Sequence, residues 1–168
     1  GMTLIGGTST CLLGLSEEEF HVDGVNGTYP NCMYDGTSLL EGGQTAAGSI
    51  LTWFKNNLLP AAWMQEAVNR NMNIYDLITE KASAVPIGCD GLVMMDYFQG
   101  NRAPYADSKA RGMFWGLSIG TTPAHLARAV YEGVAYGANH CIVSMKKAGY
   151  DVKEIYACGG LAQSDFWM

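Results

Sequence analysis

The most constraining feature of the chain is a long uninterrupted helical pattern that begins at Thr121-Thr122-Pro123 and stops at Gly149. Thr122 suits the N-cap, and Pro123 suits the first helical position, where its missing N–H is no loss. Leu126, Val130, Gly133, Val134, Gly137, Cys141 and Met145 then recur on one face. Gly149 supplies a left-handed stop, so about seven turns fit between the signals. Gly133 and Gly137 share the apolar face, and each disfavours helix by up to about 1 kcal/mol against alanine. Their presence predicts a helix or strand packed very close to that face. His125, Glu132 and His140 lie on this helix. Two histidines fifteen residues apart do not share a metal, so structural roles are expected for all three.

Shorter elements surround this helix. At the N-terminal end Thr3-Leu4-Ile5 and Cys11-Leu12-Leu13 flank Gly6-Gly7-Thr8-Ser9-Thr10, which reads as a tight β-hairpin. Its turn carries no charge and little bulk. Bare main chain with the hydroxyls of Thr8, Ser9 and Thr10 suits an anion, and it equally suits an ordinary Gly-Thr-Ser turn. Glu17-Glu18-Glu19 reads as a solvated turn, and Gly24 to Gly36 as surface turns and short strands. Next, Gly42-Gly43 precedes a helix with Ala47, Ile50, Leu51 and Phe54 on its buried face. Small residues crowd the start of that helix, so a neighbouring helix or a ligand phosphate can come close. Pro60 interrupts the pattern. A second short helix is predicted over Asn73–Ala84, with Asn73 as N-cap.

Gly91 to Phe98 is nearly continuous apolar sequence and predicts a strand covered on both faces, hence a layered α/β domain. Gln99 to Arg111 is a polar loop of the length that serves either binding or plain connection. Glu154 to Cys158 predicts a short buried strand, Gly159-Gly160 a sharp turn, and Leu161 the start of a helix. Strand, two glycines and helix N-terminus bring main-chain donors to one spot, an arrangement suited to a nucleotide.

Composition excludes several classes. Apolar residues make up 48% of 168, enough for a globular core. The net charge of −6, with ten scattered basic residues, offers no basic stripe for nucleic acid. No apolar run is long enough to span a membrane and no signal segment opens the chain, so a cytoplasmic location is expected. Five cysteines, Cys11, Cys32, Cys89, Cys141 and Cys158, form no C-x-x-C pair. Buried free thiols in a reducing compartment are expected. Gly1 ahead of Met2 resembles a residue left by tag removal, and the helix begun near Gln163 stops within about two turns. The chain is therefore expected to be a fragment, or a shortened reading frame, of something longer.

With these residues in view, the chain resembles the C-terminal half of a carbohydrate kinase of the FGGY family, over essentially its whole length. The most specific likeness is Gly112 to Glu132, which fits the family's second signature position by position. Gly6 to Thr10 resembles the second phosphate motif. Gly159-Gly160 resembles the adenosine motif, with Ser164 at its small polar position, and Gly48 and Thr52 fall on the helix that in glycerol kinase-like members of the family contributes to the nucleotide site. The wording of Gln99 to Asp107 is closest to ribulokinase-like and xylulokinase-like members.

The resemblance implies a ribonuclease H-like, actin-like ATPase fold, with residues 1–168 as a single partial C-terminal domain that is incomplete at its C-terminal end. It implies ATP and Mg as cofactors, and Gly7, Thr8, Ser9, Thr10, Gly48, Thr52, Gly159, Gly160 and Ser164 as nucleotide-binding residues. The family reaction is in-line transfer of the ATP γ-phosphoryl group to a sugar hydroxyl whose proton a carboxylate takes. None of Asp23, Asp35, Asp90, Asp96, Asp107, Asp151 or Asp165 falls in the motif of that catalytic aspartate. No catalytic and no metal-binding residue is therefore assigned here, and the isolated chain is expected to be inactive. ATP or ADP is the expected partner, with a pentulose or polyol bound only alongside the N-terminal domain. A cleft wall and sheet left uncovered predict a homo-oligomer; no nucleic acid and no membrane partner is expected. The alternative is a non-enzymatic structural or interaction module from a truncated kinase gene. A different actin-like ATPase is made improbable by the signature match.

Overall fold

The computed structural model describes residues 1–168, apart from the side-chain surroundings of Asn26 and Gly27. Strand β1 (Met2–Gly6) and β2 (Thr10–Ser16) form the predicted hairpin, with Gly6 opposite Thr10 and Met2 opposite Gly14. Strand β4 (Ser38–Gly42) pairs antiparallel with β2, and β3 (Asn26–Pro30) pairs with β4 across a bulge between Asn26 and Thr28. Strand β7 (Ile155–Cys158) runs parallel to β1, which completes a five-stranded sheet of order β3-β4-β2-β1-β7.

Between β4 and β7 the chain builds α1 (Gly48–Asn57), α2 (Ala61–Asn69), α3 (Ile74–Ser83), a two-stranded ribbon of β5 (Val93–Met95) and β6 (Met113–Trp115), and α4 (Pro123–Lys147). Helix α4 is the predicted long element, and its start carries more than a threonine cap. Thr122 and His125 form a reciprocal capping box that satisfies main-chain donors at the helix entrance.

The 25 residues of α4 serve two cores. Near its C-terminal end Cys141, Ile142 and Met145 cover Met2, Leu12 and Leu40 on one face of the sheet. Its N-terminal half packs with α1, α3 and β5 through Ala127, Val130 and Val134 against Ile50, Phe54, Ile78 and Met94. The close neighbour expected at Gly133 is β5: a Cβ there would lie 2.5 Å from the Met94 carbonyl oxygen. Asn73 caps α3 as predicted, its side chain accepting from the Tyr75 N–H. Pro60 stands just ahead of α2, a helix not anticipated from the sequence.

Four expectations are corrected. Strand β5 is three residues long and covered on one face only, since Met94 is buried while Val93 and Met95 are 47% and 40% exposed. Strand β7 is exposed, with Tyr156 62% exposed, because among the described residues no strand pairs with its outer edge. Leu161–Gln163 is a single 3-10 turn and so lacks the aligned peptides that give a helix N-terminus its field. Of the five free thiols only Cys89 and Cys141 are buried, whereas Cys32 and Cys158 are exposed. Burial pushes both buried thiols up to about 11, which leaves them protonated and inert near neutrality.

Candidate functional site

The hairpin turn owes its shape to the start of α1. Ala47 offers no side-chain cap, and the orphan N–H groups of that helix are met instead by carbonyls of the turn. Gly48 N–H donates to the Gly7 carbonyl at 3.0 Å, and the N–H groups of Ala47 and Ser49 donate to that of Thr8 at 2.9 and 3.1 Å. The Ser49 hydroxyl donates to the Thr8 carbonyl as well. The small residues of α1 therefore admit the hairpin, because a Cβ on Gly48 would stand 2.6 Å from the Gly7 oxygen. Within the turn, the Gly7 N–H donates to the Ser9 carbonyl at 2.9 Å. The N–H groups of Thr8 and Ser9 have no acceptor among the described residues.

The second loop locks onto the first. Gly159 has a φ of +92° and lies against the Gly6 main chain, so a side chain there meets both conformational and steric resistance. Leu161 fills the space that a side chain at Gly6 would take, its Cβ 2.9 Å from that point. Gly160 behaves differently. Its φ and ψ of −63° and −33° are helical, and nothing lies within 4 Å of where its Cβ would be.

These two loops, α1, the start of α3 and the middle of α4 enclose one cleft of about 710 Å³. Of the predicted residues, Gly7, Thr8, Gly48, Thr52, Gly160 and Ser164 line it. Ser9 sits exposed at the turn beside it, and Gly159 supports the second loop from behind. Thr10 does not belong to it. The hairpin register turns Thr10 to the same side as Leu12, leaving it 2% exposed, and its hydroxyl donates to Gln44 Oε1 at 2.8 Å. That hydroxyl is thus engaged by Gln44 and stands outside the lining of the cleft, unlike Thr8.

Sequence reasoning missed the opposite wall: Asn73, Tyr75, Asp76 and Thr79 from α3, and Tyr131 and Trp167 at the base. The Thr52 hydroxyl lies 3.2 Å from that of Tyr75, which ties α1 to α3. The Tyr131 hydroxyl lies 2.8 Å from Thr79 Oγ1, and the ring is tilted against Trp167 with centroids 4.6 Å apart. Burial raises the Tyr131 phenol above its ordinary range, partly offset by the Thr79 hydrogen bond. Only the capping signal at Asn73 hinted at this wall.

Among the described residues no lysine or arginine lines the cleft, and its one carboxylate is Asp76. An anionic group would therefore be met by main-chain donors at the hairpin end, away from the carboxylate on α3. The histidines and glutamate of α4 have local partners elsewhere. His125 Nε2 is 3.2 Å from Asp90, His140 lies against Tyr105, and Glu132 accepts from Arg128 and the Gly88 N–H.

The model of the FGGY family of carbohydrate kinases, C-terminal domain, matches residues 2–168. The ribulokinase of Bacillus licheniformis is 34% identical over 164 residues, covering 98% of this chain and 30% of that protein. The crystal structure of a xylulose kinase from Lactobacillus acidophilus superposes with a TM-score of 0.81 at 26% identity, over 99% of this chain and 31% of the other. A gluconate kinase from the same organism gives 0.81 at 27% identity, over 99% and 32%. The chain thus spans about a third of the length of the proteins it matches.

Proposed function

Since this chain belongs to the FGGY family of carbohydrate kinases, whose C-terminal domain it matches with the ribonuclease H-like, actin-like fold, we propose that its cleft holds the nucleotide of a sugar kinase. The observation that carries this reading is that Thr8 and Gly160, from opposite ends of the chain, line one hollow of about 710 Å³. The free N–H groups of Thr8 and Ser9, the Thr8 hydroxyl and the bare Gly160 main chain suit the phosphates. Asp76 repels phosphate and so faces the nucleoside, beside Tyr75 and Thr79. Thr52 and Ser164 stand on the walls between. When bound, ATP supplies the γ-phosphoryl group and magnesium offsets its charge. No residue of this chain is assigned to the metal or to proton transfer.

Residues 1–168 act on this reading as one nucleotide-binding unit of a cytoplasmic kinase. The catalytic carboxylate and the sugar contacts are assigned to parts of the relatives that this chain does not cover, with a pentulose or related polyol as substrate class. Calorimetric titration of the 168-residue chain with ADP and magnesium tests the site. Saturable binding at or below millimolar nucleotide supports it, and no saturation in that range overturns it.

The exposed edge of β7, with Ile155 46% and Tyr156 62% exposed, supports a second reading in which copies of the chain associate edge to edge. Light scattering that returns only monomer at high concentration removes it.

A further inference from the structure

Thr10, Gln44 and Asp96 form a buried polar chain that the nucleotide reading leaves without a task. The Thr10 hydroxyl donates to Gln44 Oε1 at 2.8 Å and accepts from the Gln44 N–H at 3.0 Å, while the main chains of the two residues exchange hydrogen bonds at 3.1 and 3.2 Å. The amide nitrogen of Gln44 donates to Asp96 Oδ2 at 2.6 Å and to the Val134 carbonyl at 2.9 Å. All three residues are buried, at 2%, 4% and 7% exposure. Helix α4 makes room for them at Gly137, where a Cβ would stand 2.5 Å from Asp96 Oδ2.

The amide orientation of Gln44 is dictated by these partners. Its nitrogen must face the carboxylate and the carbonyl, so its oxygen must face Thr10. The loop between β4 and α1 therefore works as a two-sided clamp. On one side Gln44, Ala47 and Gly48 hold the hairpin from Gly7 to Thr10. On the other, Gln44 holds Asp96 and the Thr45 hydroxyl donates to the Gly100 carbonyl at 2.9 Å.

We propose that Thr10, Gln44 and Asp96 are positioning residues for the hairpin turn: they fix the turn in the shape that presents the Thr8 and Ser9 N–H groups, and they tie that shape to the polar segment that follows β5. Their effect on nucleotide affinity rests on the reading given above, whereas their effect on the turn does not.

Amide hydrogen exchange on the full chain, with an ADP–magnesium titration of the same samples, tests the proposal. The variants are Thr10→Val, which keeps shape and deletes the hydroxyl, Thr10→Ser, which restores it, and Asp96→Asn, which touches neither turn nor cleft. In Thr10→Val the amides of Gly7, Ala47 and Ser49 should exchange about tenfold faster relative to Val130 in α4, and Thr10→Ser should restore them to within about twofold. Asp96→Asn, which leaves Gln44 only a neutral and weaker acceptor, should move the same amides in the same direction by a smaller factor, even where removal of the buried charge raises overall stability. ADP affinity should fall in parallel with the turn. Uniform acceleration of turn and α4 amides in both Thr10→Val and Asp96→Asn means a merely structural role and overturns the proposal. So does a loosened turn with unchanged ADP affinity. If the unaltered chain binds no ADP the nucleotide reading fails, and the exchange pattern alone then decides whether these residues position the turn.

Discussion

Gly160→Ala separates folding from binding at a single methyl group. The backbone at Gly160 is already helical, and its Cβ would meet nothing within 4 Å, so alanine fits the folded chain without strain. The substitution restricts the unfolded chain, which should stabilise the protein by about 0.4–1 kcal/mol. The new methyl projects into space that the main chain leaves bare at the cleft. If a phosphate or nucleoside oxygen must approach the peptide there, the loss is that of a hydrogen bond to a charged group, about 1.5–3 kcal/mol, or about ten- to hundredfold in affinity. Urea denaturation with and without ADP and magnesium measures both effects together, because a ligand stabilises only in proportion to its occupancy of the folded state. The expected result is a higher midpoint without nucleotide and a smaller nucleotide-induced shift. Undiminished ADP affinity would refute the placement of Gly160 against the ligand. A loss of stability would refute the geometry assigned to the turn.

Gly48→Ala should behave in the opposite way. Its Cβ would press on the Gly7 carbonyl at 2.6 Å and displace the hairpin. Overpacking of about 1–3 kcal/mol outweighs the gain in helix propensity, so both the urea midpoint and ADP affinity should fall, and an unchanged midpoint would contradict the contact. Burial raises the Asp96 carboxyl above the usual carboxylate range, more than the hydrogen bond from Gln44 lowers it. The folded state thus binds that proton more tightly than the unfolded state does. The group subtracts stability at neutral pH, and the penalty is relieved as pH falls through its raised pKa toward the ordinary value near 4. As pH falls from neutral toward the ordinary carboxylate value near 4, the urea midpoint of the unaltered chain should therefore rise relative to that of Asp96→Asn; parallel profiles would show that burial does not penalise the Asp96 charge. Because no lysine or arginine among the described residues lines the cleft, ADP affinity at constant magnesium should change less than about threefold from low to moderate salt. A steep salt dependence by calorimetry would point to cationic side chains that the cleft lacks.

The hairpin and α4 were legible because turn chemistry and capping residues act locally. Gly6 to Thr10 leaves few alternatives to a tight turn, and Thr122-Pro123 with Gly149 marks both helix ends. Which face a strand turns to the core depends on partners that local sequence does not name. Val93 and Met95 are as apolar as Met94, yet only Met94 is buried. Ile155 and Tyr156 read as buried because nothing local states that β7 ends the sheet. The same limit explains the site. Thr8, Ser9 and Thr10 look equivalent as a run of hydroxyls, but the register that puts Thr10 opposite Gly6 sends its side chain inward to Gln44. The wall made by Asn73, Tyr75, Asp76 and Thr79 depends on α3 docking beside the first turns of α1, a long-range event with no local mark beyond the Asn73 cap.

Two-dimensional amide spectra of the 168-residue chain, recorded during titration with ADP and magnesium, test most directly whether the two loops form one nucleotide site. The amides of Thr8 and Ser9 in the hairpin and those of Gly160 and Leu161 in the second loop should shift together, along curves described by a single dissociation constant. Shifts confined to one loop, two unrelated constants, or a spectrum unmoved at millimolar nucleotide would contradict a shared site.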